Sequence, residues 1–162
     1  MLTRRPSADD GSIMVLIIGY TVIAAVLIVV GVDVSKVFLA QRALASAADS
    51  AALAAAQGVN TRVVYDGPGL QCGQPLPLGQ GRAADLAAGS VTDARPDLDR
   101  SFASLADPQT SVDGGTVSVA LSGEVAVPFG RVLAWLDPSR PDGLVLVTAT
   151  SHARSPVAGG FC

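Results

Sequence analysis

The hydrophobic pattern changes character along the chain, and each change marks an element. From Ile13 to Val32 the run IMVLIIGYTVIAAVLIVVGV is apolar on every side and carries no charge. At about 20 residues and about 1.5 Å rise per residue, it predicts a helix as long as the hydrocarbon core of a bilayer. A helix satisfies its own backbone in lipid, whereas a core helix apolar all round needs more surrounding protein than this chain supplies. Secretory signal h-regions are shorter and are followed at once by small residues; here Asp33, Val34, Ser35 and Lys36 follow. The segment is therefore expected to stay as an anchor.

No Gly or Pro separates this span from Asp33–Gln57, where the pattern becomes amphipathic at helical period. Ser35, Arg42, Ser46, Asp49, Ser50 and Gln57 mark a polar face. Val37, Ala40, Leu44, Ala47, Ala48, Ala51 and Ala55 mark the other, a packing face that narrows to alanine. Small residues let a neighbouring backbone approach closely. One helix from about Ile13 to Gln57 is predicted, with Gly58 as its stop. Its outer half packs either on the chain's own small domain alone or also on sister subunits; the pattern leaves both open. Asp33 and Lys36 fall where the helix leaves the membrane, and their charges resist immersion and fix its depth.

Beyond Gly58 the pattern is punctuated rather than periodic. Residues 58–81, rich in Gly and Pro, read as an extended loop. Arg82 to Ala94 reads as a short alanine-rich helix stopped before Pro96, and a helical turn is allowed around Phe102. Thr110–Val112, Asp113-Gly114-Gly115 and Thr116–Ser122 predict a β-hairpin with Val117, Val119 and Leu121 on its buried side. Gly123 reads as a bulge before a continuation at Glu124–Val127. Pro128 to Leu136 suits a short helix, and Leu144–Thr150, apolar on both faces at its start, reads as a central strand.

The fold class is α+β: a long N-terminal transmembrane helix continuing as an amphipathic stalk, then a small antiparallel sheet with short helices. The organisation expected is a cytoplasmic tail over 1–12, the span over 13–32, the stalk over 33–57, the loop over 58–81 and an extracytoplasmic domain over 82–162. Positive charges flank the span evenly, Arg4 and Arg5 before it and Lys36 and Arg42 after. The long C-terminal part and its cysteines favour an N-terminus inside and the domain outside the cytoplasmic membrane.

Composition narrows the function. The net charge is −3 with no basic patch, so no nucleic-acid partner is expected. Aromatic residues make up only 4% of the 162 residues, and outside the span the supply of large core side chains is thin. Cys72 and Cys162 lack metal-site spacing. Paired in an oxidising compartment they would close a loop worth about 4–5 kcal/mol; the alternative is two free thiols. His152, the one histidine, falls on a strand in phase with Thr148 and Thr150 and reads as solvated. The Gly-rich turns lack the strand and helix that flank a nucleotide loop. No catalytic residues, cofactor, metal or small-molecule substrate are expected.

Gly11-Ser12 opening the span, Gly31-Val32-Asp33 closing it, Gln41-Arg42-Ala43-Leu44 and then Ala47-Ala48-Asp49-Ser50-Ala51-Ala52-Leu53-Ala54 resemble the TadE/TadG-like proteins of Tad/Flp pilus loci. The resemblance implies a minor pilin-like or assembly component, partnered through its N-terminal helix with other pilus or secretion subunits. It also implies Gly11 and Ser12 as a candidate prepilin-type processing site. Pseudopilins of this kind carry Glu at the fifth mature position, where this chain has Leu16. That departure favours an unprocessed, membrane-retained role. The alternative function is a stand-alone membrane-tethered module that binds an envelope ligand.

Overall fold

The computed structural model of the chain describes residues 10–66, 73, 75–130 and 143–156. Its first element, α1 (Asp10–Ala55), is one helix of 46 residues. At helical rise that is about 69 Å. It begins three residues before Ile13 and ends two residues before Gln57, with turns closing through Gln57 N–H to Ala54 O and Gly58 N–H to Ala55 O.

A short α2 (Thr61–Asp66) interrupts the stretch expected to be extended, and α3 (Gln80–Leu98) starts inside its last residues. Between them, 58–60 and 77–79 pair back to back. Val59 bridges Leu78, Asn60 N–H donates to Pro77 O at 2.8 Å, and Gly79 N–H donates to Gly58 O at 2.9 Å.

α3 does not stop before Pro96 but runs through it. The proline removes one N–H donor close to the helix end. Opposing that loss is a buried stripe of Ala83, Ala87, Val91 and Leu98 at helical spacing. Keeping the last turn is what puts Leu98 into the core. The helix closes with Asp99 N–H on Arg95 O at 2.8 Å, and Phe102 N–H on Leu98 O at 2.9 Å turns the chain toward the sheet.

Among the described residues the sheet has four antiparallel strands: β1 (Ser104–Leu105), β2 (Gln109–Asp113), β3 (Thr116–Ala126) and β4 (Leu144–Arg154). β3 lies at its centre. Its whole length pairs with β4 on one edge, from Thr116 opposite Arg154 to Ala126 opposite Leu144. On the other edge β2 pairs with 116–120 and β1 with 123–124. Gly114, at φ +58°, makes the two-residue hairpin turn that only glycine adopts without strain.

Two strand expectations are corrected by this register. Gly123 is not a bulge, because pairing runs through it without a break, opposite both Val147 and Leu105. It is glycine because a Cβ there would lie 2.7 Å from Phe102 Cδ1. β4 is not central: among the described residues it pairs only with β3. Its apolar start does not mean two covered faces, since Val147 points into the core while Leu146 is 66% exposed. Of the short helix expected over 128–136, residues 131–136 lie outside the described residues.

The odd-numbered residues of β3 are all buried and the even-numbered ones are not, so one face of the sheet is covered and the other is open. The cover is the outer half of α1 over β3 and β4, with α3 beside it over β2. Leu44, Ala48, Ala51, Ala52 and Ala55 of α1, Ala83 and Ala87 of α3, and Val117, Val119, Leu121 and Val125 of β3 form one core. Helix and strands run alongside each other for about 33 Å, taking 22 helical steps from Asp33 to Ala55 and 10 strand steps along β3. The outer half of α1 is thus the core helix of the small domain, and no free stalk separates that domain from the span.

Two polar fasteners hold the edges. The Gln80 side chain lies along β2, its Nε2 donating to Thr110 O at 2.8 Å and its Oε1 accepting from Val112 N–H at 3.0 Å. Ser155, nearly buried, donates from Oγ to Leu76 O at 2.9 Å, and its N–H donates to Gly115 O at 2.8 Å.

Candidate membrane and assembly interface

α1 changes environment at Asp33 without changing conformation. Before it, no residue from Ile13 to Val32 is buried, and Ile13, Met14, Val15, Leu16, Tyr20 and Leu27 are each more than 60% exposed. Nothing among the described residues covers this apolar cylinder. A continuous exposed apolar surface of this length is stable only against lipid or protein. Two hydroxyl groups, Thr21 within the span and Ser35 just beyond it, turn inward on the helix. Thr21 Oγ1 donates to Ile17 O at 2.8 Å, and Ser35 Oγ donates to Gly31 O at 2.7 Å. Such bonds leave few polar demands on a surrounding hydrocarbon phase.

After Asp33 the same helix is half covered. Ala40, Leu44, Ala48, Ala51 and Ala55 are buried and Val37 is half-buried, packed against the chain's own sheet and α3. Alanine at these positions brings backbones close together. At Gly58, just past the helix, a Cβ would sit 2.8 Å from Ala83 N and 2.9 Å from Ala55 O. Gly58 was legible in the sequence only as a helix stop; its role in this close approach was not.

Asp33 and Lys36 are not a matched surface pair. Lys36 is exposed, whereas Asp33 is 6% exposed and turned onto the outer domain, where its Oδ1 accepts the Phe129 N–H at 3.2 Å. Its Oδ2 is buried with no hydrogen-bond partner among the described residues. Beside it lies an open groove of about 390 Å³ lined by Asp33, Val34, Val37, Phe38, Gln41, Val127 and Val145. Sequence reasoning missed Val127 and Val145 as groove residues and the Phe129 amide as the partner of Asp33, because both depend on how the sheet end meets the helix.

Gly11 and Ser12 lie in the first turns of α1. Cys72 and Cys162, the candidate disulfide, lie outside the described residues. On the open face of the sheet, His152 Nδ1 is 2.7 Å from Ser118 Oγ across the β3–β4 pair, and both are solvent-accessible. Among the described residues no group of three or more His, Cys, Asp or Glu side chains is placed to hold a metal ion.

Among the described residues one helix is long and apolar enough to cross a membrane, and it lies near the N-terminus. No curated protein and no solved structure shows significant similarity to the chain. A family model described as putative Flp pilus-assembly TadE/G-like matches residues 11–58. The match begins at the head of the exposed apolar cylinder, takes in the whole packed half of α1, and ends at the glycine that meets α3; the sheet lies beyond it. Over residues 11–58, then, this chain is similar to the TadE/G-like Flp pilus-assembly family.

Proposed function

We propose that the protein is a membrane-anchored, minor pilin-like or assembly component of a Tad/Flp-type pilus or related secretion apparatus. It works by anchoring and helix packing, not by catalysis. The observation that carries this reading is the continuity of α1. Its first half is apolar and uncovered, its second half is built into a small domain, and the matched family segment spans both. The span holds the chain in the cytoplasmic membrane with the N-terminus inside. The rigid passage from span to core helix then places the outer domain outside, at a fixed height and orientation. Partners are other pilus or secretion subunits, met through the surface of α1 that the chain does not itself cover.

Two measurements on cells making the full chain test the reading. Alkaline carbonate washing should leave the protein in the membrane pellet, and a β-lactamase fused after Cys162 should protect cells against a β-lactam. Release into the wash refutes the anchor; an inactive reporter paired with a cytoplasmically active one refutes the orientation. Deletion of the gene in a piliated host should abolish or shorten pili, and unaltered piliation refutes the assembly role.

A further inference from the structure

The exposed apolar surface of α1 does not end where the span is long enough for the hydrocarbon core. Val34, Phe38 and Leu39 continue it, each between 62% and 65% exposed. Across the groove from Phe38, the end of the sheet brings Val127 and Val145 to the same level, and Leu146 stands out from the open face at 66% exposure. These residues all lie at the end of the domain nearest the span, because Asp33 meets Phe129 and the groove joins 33–41 to 127 and 145.

We infer that this end of the domain is a lipid-binding surface, seated in the headgroup layer of the bilayer through Val34, Phe38 and Leu39 of α1 and Val127 and Leu146 of the sheet. The inference rests on the membrane-anchor reading and extends it from the helix to the domain. Continuity with the span argues for lipid as the occupant. The rise from Val34 to Leu39 is about 8 Å. The interfacial layer on each side of a bilayer is about 5–8 Å thick. Once Ile13–Val32 fills the hydrocarbon core, this collar has nowhere else to be.

The charges at this level fit the same occupant. Lys36 is exposed and long enough to carry its ammonium outward along the helix while its stem stays in the apolar layer. Asp33 of α1 is covered by the domain rather than presented to lipid, and Glu124, opposite Leu146 on the open face, is half-buried and accepts from Ser104 Oγ at 2.9 Å. A domain held clear of the membrane on a free stalk would have no use for exposed apolar side chains at its base. Leu53, exposed on α1 but about 21 Å above Leu39, serves as the internal reference.

The test places photoreactive p-benzoylphenylalanine singly at Ile23, Phe38, Leu39, Leu146 or Leu53 in the full chain. Each variant is irradiated in native membranes and adducts are identified by mass spectrometry. Lipid adducts at Ile23, Phe38, Leu39 and Leu146 with none at Leu53 are expected. Adducts at Ile23 alone overturn the seating while leaving the anchor intact, and no lipid adduct at Ile23 defeats the anchor itself. Crosslinks from Phe38 and Leu146 to a second copy of the chain, in place of lipid, overturn the inference in favour of a protein-covered base.

Discussion

The ring of Phe102 occupies the space that a side chain at Gly123 would need: a Cβ there would lie 2.7 Å from Phe102 Cδ1 and 3.0 Å from Ser104 O. The contact ties the turn after α3 to the centre of the sheet and lets β1 pair beside it. Gly123→Ala must push the ring or β1 away, and overpacking of this kind costs about 1–3 kcal/mol. Phe102→Ala removes a buried aromatic, at a cost of about 3–5 kcal/mol. Because the two residues compete for one volume, Gly123→Ala should cost clearly less in the Phe102→Ala background than alone. Thermal unfolding of the full chain in detergent, followed by circular dichroism, measures the cycle. Additive losses would show that the glycine is needed for another reason.

What the sequence could and could not announce follows from the range of the forces involved. The span, the amphipathic outer half of α1, the hairpin turn and the alternation along β3 are set by neighbours within one or two turns of chain, and they were legible. Gly123 looked like a bulge because its reason, Phe102, approaches from outside the strand. Pro96 looked like a stop because local propensity disfavours it, whereas Leu98 is buried only once the sheet is in place. The apolar start of β4 looked central because an exposed Leu146 and a buried Val147 are indistinguishable in a pattern of residue types. At the site, the packing face of α1 was visible in periodicity, but the turn of Asp33 onto Phe129 depends on a residue 96 positions away.

The alanine face of α1 sets a size limit. Ala51 is fully buried in the core shared with α3 and β3. Ala51→Leu forces those elements apart and should destabilise the domain by about 1–3 kcal/mol or more. Leu53, two residues on and 64% exposed, gives the matched control. Leu53→Ser should change stability by no more than about 0.5 kcal/mol. Chemical denaturation of the two variants in the same detergent compares them. Equal losses would mean that Leu53 is covered by something outside the chain.

The hairpin turn separates backbone strain from crowding. Gly114 has φ +58°, and a Cβ added there would meet no atom within 4 Å. Gly114→Ala therefore meets only the left-handed backbone penalty of about 1–2 kcal/mol. Asn tolerates that conformation better, so Gly114→Asn should recover part of the loss. At Gly115 an added Cβ would instead collide with the ring of Pro75, and Gly115→Asn should bring no recovery over Gly115→Ala. Melting temperatures of the four variants decide the matter; a Gly114→Asn protein no better than Gly114→Ala would place the constraint elsewhere than in φ.

Asp33 is the fastener between the span and the outer domain, and its removal should be felt locally before it is felt globally. Asp33→Ala leaves the Phe129 N–H without its acceptor, and an orphaned, partly buried donor costs about 1–3 kcal/mol. Asp33→Asn keeps an oxygen for that bond and should retain most of it. Hydrogen exchange on the full chain in detergent should show the Phe129 amide deprotected in Asp33→Ala and near wild type in Asp33→Asn. The amide of Val119, deep in β3, should be unchanged in both. Deprotection of both amides together would mean that Asp33 supports the whole core. Equal behaviour of the two Asp33 variants at Phe129 would mean that the hydrogen bond is not what holds the domain to the helix, and that the packing of Val37 and Val145 against the core does so instead.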